Sequence, residues 1–325
     1  MKKLVSLLLT AVLTATLFAS CGGNTTDMTK IGVVQIVEHK SLDSIRDSFK
    51  AQLETLGYVE GENCEVQYKS AQGDQNNLNT IIQSFAGDEV DVIVAIATPT
   101  AQAAATVADK IPVIFSAVTD PVAAGLVTDM AKPDKNITGT SDAVQVEKIL
   151  DFALSVTPDV KKLGFLYNTG EANSESNLQK TKAYAEAKGI EVIEGVATNT
   201  SEVQTAVEVL ADQVDVMFVP NDNTIASAMA VVTKVTREKK IPVYTGADSM
   251  VSDGGFATVG IDYTDLGKET ANMTDMVLKG TAVADIPVMV FADDLNTYIN
   301  ETTANEIGVT VADEILNAEK TVIMK

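Results

Sequence analysis

From Ile31 onward, short apolar runs alternate with longer stretches in which apolar positions fall three and four residues apart. Ile31 to Val37 reads as a strand, and Ser41 to Leu56 as a helix that starts at a capping Ser and stops at Gly57. Glu65 to Tyr68 is predicted as a second strand and Gln75 to Phe85 as a second helix. Val90 to Ile96 is almost continuously apolar, as a strand buried on both faces should be. A helix over Thr100 to Ala108 and a strand over Ile111 to Phe115 follow. Strict alternation of β and α elements predicts an α/β fold with a parallel sheet and helices on both of its faces.

The pattern then repeats. Lys162 to Tyr167 mirrors the first strand, and Glu175 to Lys188, ended by Gly189, mirrors its helix. Val90-Asp-Val-Ile-Val-Ala-Ile-Ala-Thr-Pro-Thr100 matches Val214-Asp-Val-Met-Phe-Val-Pro-Asn-Asp-Asn-Thr224. Each leads through an Ala-containing helix to Ile-Pro-Val, at 111–113 and again at 241–243. Two such units in the same order predict two similarly built Rossmann-like lobes, with a ligand cleft between them.

Composition narrows the function. Hydrophobic residues make up 46% of the 325, an ordinary value for a globular chain. Asp and Glu number 45 against 24 Lys and Arg, a net charge of −21 that opposes binding to a nucleic-acid phosphate backbone. Two Cys and one His exclude a disulfide scaffold and leave too little for a zinc or iron–sulfur centre, so neither cofactor nor metal is expected.

Residues 1–20 combine Met-Lys-Lys, an apolar stretch from Leu4 to Phe18, and Ala19-Ser20, the layout of a secretory signal peptide. Cys21 falls where cleavage would occur. The segment resembles a bacterial lipoprotein signal, which implies lipidation at Cys21; it departs from that pattern in having Phe18 where Leu is usual. An ordinary signal with a coincidental Cys is the alternative. Gly22 to Asp27 is small and polar, as a flexible tether should be, giving a tether over 21–29. The rest of the chain is expected outside the cytoplasm, held to the bacterial cell membrane by that lipid alone.

In open parallel sheets, ligands bind beyond the carboxyl ends of the strands. There the chain carries Glu38-His39, Thr98-Pro99-Thr100, Thr119-Asp120, Asn168 to Ser174, Asn221 to Thr224, Gly246-Ala247-Asp248 and Asp262-Tyr263. Thr98 is placed as an N-cap and Pro99 as the first helical residue. Free N–H groups at helix starts suit a carboxylate, and acidic side chains suit an ammonium, so the set points to a zwitterion such as an amino acid. Each of these residues is equally of the type that caps helices and turns. His39, the only His, is expected to contact ligand or cap a loop. A catalytic Ser/His/Asp arrangement stays open, although the chain has no Gly-x-Ser-x-Gly elbow and no Gly-rich phosphate loop.

Ile36-Val-Glu-His39, Gln72-Gly-Asp-Gln75, Ala95 to Gln102, Ala117 to Pro121, Pro220 to Thr224 and Gly260-Ile-Asp-Tyr263 carry a resemblance. They are similar to motifs of the ABC-transporter substrate-binding lipoproteins that include the tryptophan-binding proteins, with a type I periplasmic-binding-protein fold. The resemblance runs from about residue 30 to 310. It implies a monomeric receptor rather than an enzyme, with no cofactor, closing two lobes on a small solute and serving an ABC permease and its ATPase. It implies an N-terminal lobe over 30–140 with a returning segment near 265–290, and a C-terminal lobe over 141–264 with 291–325. Hinge crossings are expected near Gly139 to Asp142, near 264–280, and after Val288 to Phe291. Ligand contacts are expected from Glu38, His39, Thr98, Pro99, Thr119, Asp120, Ser141, Asp142, Asn168, Glu171, Asn173 and Ser174. The rest of the set is Asn221, Asp222, Asn223, Thr224, Asp262 and Tyr263. The implied ligand is an amino acid, tryptophan or another aromatic, with Phe115, Tyr167, Tyr244 and Tyr263 as sources of an aromatic wall. An extracytoplasmic enzyme and a ligand sensor on the same scaffold are the alternatives.

Overall fold

The computed structural model describes residues 28–324. The expected signal peptide, the lipidation site at Cys21 and most of the tether lie outside the described residues; the tether's last residue, Thr29, opens the first strand. Two sheets form two lobes. In the first, β1 (Thr29–Gln35), β2 (Cys64–Ser70), β3 (Val92–Ile96), β4 (Val113–Ser116) and β5 (Ile137–Ser141) run in the order β2-β1-β3-β4-β5. All of these pairs are parallel, with Ile31 opposite Val92 and Gln35 opposite Ile96 across β1 and β3.

The second sheet repeats that order with β6 (Lys162–Tyr167), β7 (Glu191–Val196), β8 (Val216–Val219), β9 (Val243–Thr245) and β10 (Ala257–Gly260), running β7-β6-β8-β9-β10. The duplicated Val-Asp-Val motif therefore lands on equivalent strands, β3 and β8. Every residue of these two strands is buried, which accounts for their apolar composition. Three further strands add to the far edges. The strand β11 (Met289–Val290) joins β5 in the first sheet, whereas β12 (Asn296–Asn300) and β13 (Thr321–Met324) extend the second beyond β10. The sheets are not wholly parallel, because β12 runs antiparallel to β10.

Three segments pass between the lobes: 142–145 after β5, Ile261-Asp262 after β10, and 291–295 after β11. The second crossing precedes the place expected for it. Residues 263–278 form a helix packed along the helix Lys40–Thr55 of the N-terminal lobe, so they lie beyond the crossing rather than within it. The two helices meet at Gly267, where a Cβ would collide with Ser48 Oγ and the Ile45 carbonyl. Thr270 Oγ1 donates to Ser116 Oγ at 2.8 Å and fixes the returning helix to β4.

Helix ends follow local chemistry with two departures. Gly189 ends Ala172–Lys188 in the left-handed conformation, at φ +69°. Ser41 does not cap Lys40–Thr55; His39 holds the cap position without a side-chain bond. Thr98 and Pro99 are the first two residues of Thr98–Ala104, and Ala97 precedes them at φ +80°. The Thr98 hydroxyl is thereby freed for another use.

Candidate functional site

At the carboxyl ends of both sheets the loops meet across the cleft and enclose one cavity. Its unfilled space totals about 330 Å³, and the opposing walls already touch, with Asn221 Nδ2 of one lobe 2.8 Å from Thr119 Oγ1 of the other. From the N-terminal lobe, His39, Ser41 and Leu42 follow β1, Ala97 and Thr98 follow β3, and Ala117 and Thr119 follow β4. From the C-terminal lobe come Asn173, Asn221, Asn223, Ala226, Ala247 and Met250. Asp142 and Tyr263 stand at the first two crossings and close the ring. Ala97 and Ala117 both have positive φ, +80° and +54°, so two strand ends that face the cavity are held in a conformation L-residues seldom adopt.

Among the described residues, Asp142 is the one carboxylate that lines this cavity. It is 4% exposed and accepts from Thr119 Oγ1 at 3.0 Å, Asn221 Nδ2 at 2.7 Å and Tyr263 Oη at 2.9 Å. All three partners are neutral, and burial pushes its pKa above the usual carboxylate range against their pull. The donors come from the N-terminal lobe, the C-terminal lobe and the second crossing. One side chain thus ties together the parts that must move when the lobes separate.

A second carboxylate, Glu171, organises the C-terminal wall from behind. It accepts from Asn223 N at 3.0 Å, Asn223 Nδ2 at 2.6 Å, Thr224 N and Oγ1 at 3.0 Å each, and Asn173 Nδ2 at 3.2 Å. Asp222 behaves similarly: it caps Asn223–Ala226 through Ile225 N at 2.9 Å and accepts from Asn168 N at 2.7 Å and Ser174 Oγ at 2.6 Å. Burial, with the Glu171 charge second, raises its pKa well above the ordinary value. Both are framework groups whose lone pairs are taken up by the protein.

Three polar atoms on the cavity wall are buried without a protein partner: His39 Nδ1, Thr98 Oγ1 and Asn173 Oδ1. Buried polar atoms are rarely left so, and their convergence on one enclosure marks where a ligand would be held. Across the cleft His39 Nε2 lies 3.3 Å from Asn223 Oδ1. Burial lowers the His39 pKa and favours the neutral ring. Further bonds close the rim: Ser176 Oγ to Asp120 Oδ2 at 2.9 Å, Ser41 to Ser249, and Lys40 in ion-pair contact with Asp253.

The structure brings His39, Thr98, Thr119, Asn173, Asn221, Asn223 and Tyr263 of the strand-end set to the cavity, together with Asp142, which only the resemblance implied. Pro99, Asn168, Glu171 and Thr224 border a neighbouring open groove instead, whose unfilled space is about 1410 Å³. Six of the expected contacts line neither space. Glu38 is exposed, Asp262 caps the returning helix through Thr264 N, Ser141 bonds the Thr119 carbonyl, Ser174 is spent on Asp222, and Asp120 and Asp222 are occupied as above. Of the four aromatics only Tyr263 reaches the cavity, because Phe115, Tyr167 and Tyr244 are buried in the lobe cores. The apolar surface comes from Leu42, Met250 and four alanines, which carry no chemical signature in the sequence. For Ala97 and Ala117, position directly after a strand, shared with the polar residues, is the signal that could have found them.

The profile of the family described as "ABC transporter substrate binding protein" matches residues 30–323. This chain belongs to that family. The receptor is 40% identical over 321 residues to a tyrosine-binding protein of Clostridioides difficile, covering 95% of this chain and 93% of that one. Its structure is similar to that of an ABC domain from Streptococcus pneumoniae in complex with L-Trp, at 38% identity and TM-score 0.87, covering 91% of this chain and 100% of that one. The ligand-free, open structure of a substrate-binding protein from Clostridium difficile is 39% identical but aligns at TM-score 0.68, covering 92% and 100% of the two chains. At nearly equal identity, the receptor's lobe arrangement is thus closer to that of the complex with L-Trp. Structures of a glucose-galactose and a myo-inositol binding protein, at 14% and 15% identity with TM-scores of 0.61 and 0.62, share the type I fold.

Proposed function

We propose that this receptor captures an aromatic amino acid outside the cytoplasm, closes its lobes around it and delivers it to the permease and ATPase of an ABC importer, tethered by a lipid on Cys21. The observation that carries the ligand class is the enclosed cavity with Asp142 at its crossing end. Its buried carboxylate has three neutral donors and no cation, and an uncompensated buried charge is costly, so a ligand ammonium is the natural partner. Leu42, Met250 and the small alanines supply an apolar chamber for a side chain. The relatives named for tyrosine and crystallised with L-Trp support an aromatic side chain there.

Hinge closure is the mechanism that fits. Walls that already touch admit no amino acid, so entry requires the lobes to part along the three crossings. Ligand bound to both walls then favours the closed state by its differential affinity. Thermal-shift and calorimetric titration of residues 22–325 with the twenty amino acids tests this reading, since a ligand that binds only the folded state must raise the melting temperature. Stoichiometric binding of tyrosine or tryptophan with no product formed is expected. The absence of binding by every aromatic amino acid overturns the ligand, and product formation overturns the receptor role. For the anchor, Cys21→Ala should release the full chain from membranes; retention after a carbonate wash would sink that part alone.

A further inference from the structure

Two of the three unpartnered cavity atoms, Asn173 Oδ1 and His39 Nδ1, owe their polarity to a single carboxylate. Glu171 holds the Nδ2 groups of Asn223 and Asn173, at 2.6 and 3.2 Å, and so decides which way each amide faces. A carboxylate that collects five donors is acceptor-only, so neither amide can turn its oxygen toward it. Asn173 Oδ1 is therefore the end presented to the cavity, and Asn223 Oδ1 the end presented to His39. Facing an amide oxygen at 3.3 Å, His39 Nε2 must carry the proton. His39 Nδ1 is then a bare lone pair, buried without a partner on a residue that lines the cavity.

The relay is completed only across the cleft, because His39 lies on the N-terminal lobe while Glu171 and Asn223 lie on the C-terminal lobe. Two apolar side chains of the cavity wall stand on elements next to His39: Leu42 in the first turn of the helix that His39 precedes, and Met250 on the short helix that Ser41 touches through Ser249. Asp142, Thr119, Asn221 and Tyr263, bonded to one another, form a separate polar cluster. A ligand whose ammonium meets Asp142 would extend its side chain toward Leu42, Met250 and His39.

We propose that His39 reads the ring substituent of the aromatic amino acid: Nδ1 accepts a hydrogen bond from a phenol O–H or an indole N–H, which selects tyrosine and tryptophan over phenylalanine. The proposal rests on the aromatic amino-acid reading above. A site built around an acceptor discriminates strongly against the analogue without the donor, because the acceptor is left buried and unpaired. Glu171 is a positioning residue in this scheme. It touches no ligand and fixes the tautomer through Asn223.

Two measurements test it. The chain has one His, so in ¹⁵N-labelled protein saturated with tyrosine the imidazole nitrogens are assigned without ambiguity. Nε2 protonated and Nδ1 bare is the expected pair, and a proton on Nδ1 overturns the proposal. Calorimetry with tyrosine, tryptophan and phenylalanine should place phenylalanine about tenfold or more below the better of the other two. In His39→Leu that ratio should fall to within about threefold, and Glu171→Gln, which can donate to Asn223 and let it turn, should narrow it as well. Phenylalanine bound as tightly as tyrosine and tryptophan, or equal losses for all three ligands in a folded His39→Leu, overturns it. If no aromatic amino acid binds the native protein, the function reading has failed and not the His39 assignment. Should His39→Leu fail to fold, the tautomer and the native phenylalanine ratio decide alone.

Discussion

On the C-terminal wall of the cavity, Asn173, Asn221 and Asn223 are held by bonds that do not depend on the other lobe, to Glu171, to the Asn221 carbonyl and to Asn177 Nδ2. On the N-terminal wall, His39 and Thr98 have no side-chain partner within their own lobe, and Ala97 and Ala117 offer only methyl groups on strained backbone. The C-terminal lobe therefore presents a preorganised surface that a ligand can meet first. The N-terminal lobe supplies groups whose hydrogen bonds are made only by ligand or by closure. This division suits a receptor in which binding precedes closure and closure adds selectivity.

The sharpest way to break that contrast is to dismantle the C-terminal framework. Asp222→Ala strands Asn168 N, Ser174 Oγ and Ile225 N, which should lower stability by roughly 3 kcal/mol. Denaturant unfolding checks this. Affinity should fall only as a consequence of the lost fold. A large loss of affinity at unchanged stability would return Asp222 to the ligand site and undo the distinction between framework and contact.

Asp142→Asn comes next and acts in the opposite sense. It keeps the size of the side chain and removes the charge, so tyrosine or tryptophan affinity should drop by about 2 kcal/mol, roughly 30-fold. Stability should hold or rise, since the buried carboxylate has an elevated pKa and lacks a cation. Calorimetry beside thermal melts separates the two effects.

The two acids show what was legible in the sequence. Both follow buried strands and both were expected at the ligand, Asp222 because position after a strand places a residue at the cleft and Asp142 because the resemblance implied it. Whether such a side chain then faces the cavity or turns back to cap a helix depends on its rotamer and on the donors that the fold brings within reach. The duplicated Val-Asp-Val motif could be read directly as two lobes with matching strand order, because periodicity and burial are written in residue type. Leu42 and Met250 could not be identified, as an apolar residue on a cavity wall has the same composition as one in a core, whereas Ala97 and Ala117 carried only the signal of their position directly after a strand. Phe115 and Tyr244 failed for the same reason in reverse: their rings fill the lobe interiors.

Asp248 tests the C-terminal rim more gently. It opens the short helix Asp248–Ser252, and burial, with Asp262 nearby, raises its pKa to about 6. A carboxylate whose pKa is higher in the folded chain favours folding less as pH rises from about 4 to about 6, because the native state then holds a proton the unfolded state has lost. Asp248→Asn should therefore raise stability at pH 7 by about 1–2 kcal/mol, after allowance for its partial exposure. The gain should disappear below pH 4, and melts from pH 3.5 to 7.5 would show the convergence. A constant difference across that range would mean that the Asp248 charge is not the cause.

The smallest effect belongs to the rim. Lys40 reaches across the cleft to Asp253 and, at 3.1 Å, to Ser252 Oγ, yet its side chain is 59% exposed and that of Asp253 is 29% exposed. An ion pair in that setting is worth about 0–1 kcal/mol and is screened by salt. Because the contact exists only when the lobes meet, Lys40→Ala should leave the melting temperature of the unliganded protein unchanged and raise the Kd less than about fivefold at low salt. At molar salt the two proteins should bind alike. A larger, salt-resistant loss would make Lys40 part of the ligand site and would shift weight from the preorganised wall to the one completed by closure.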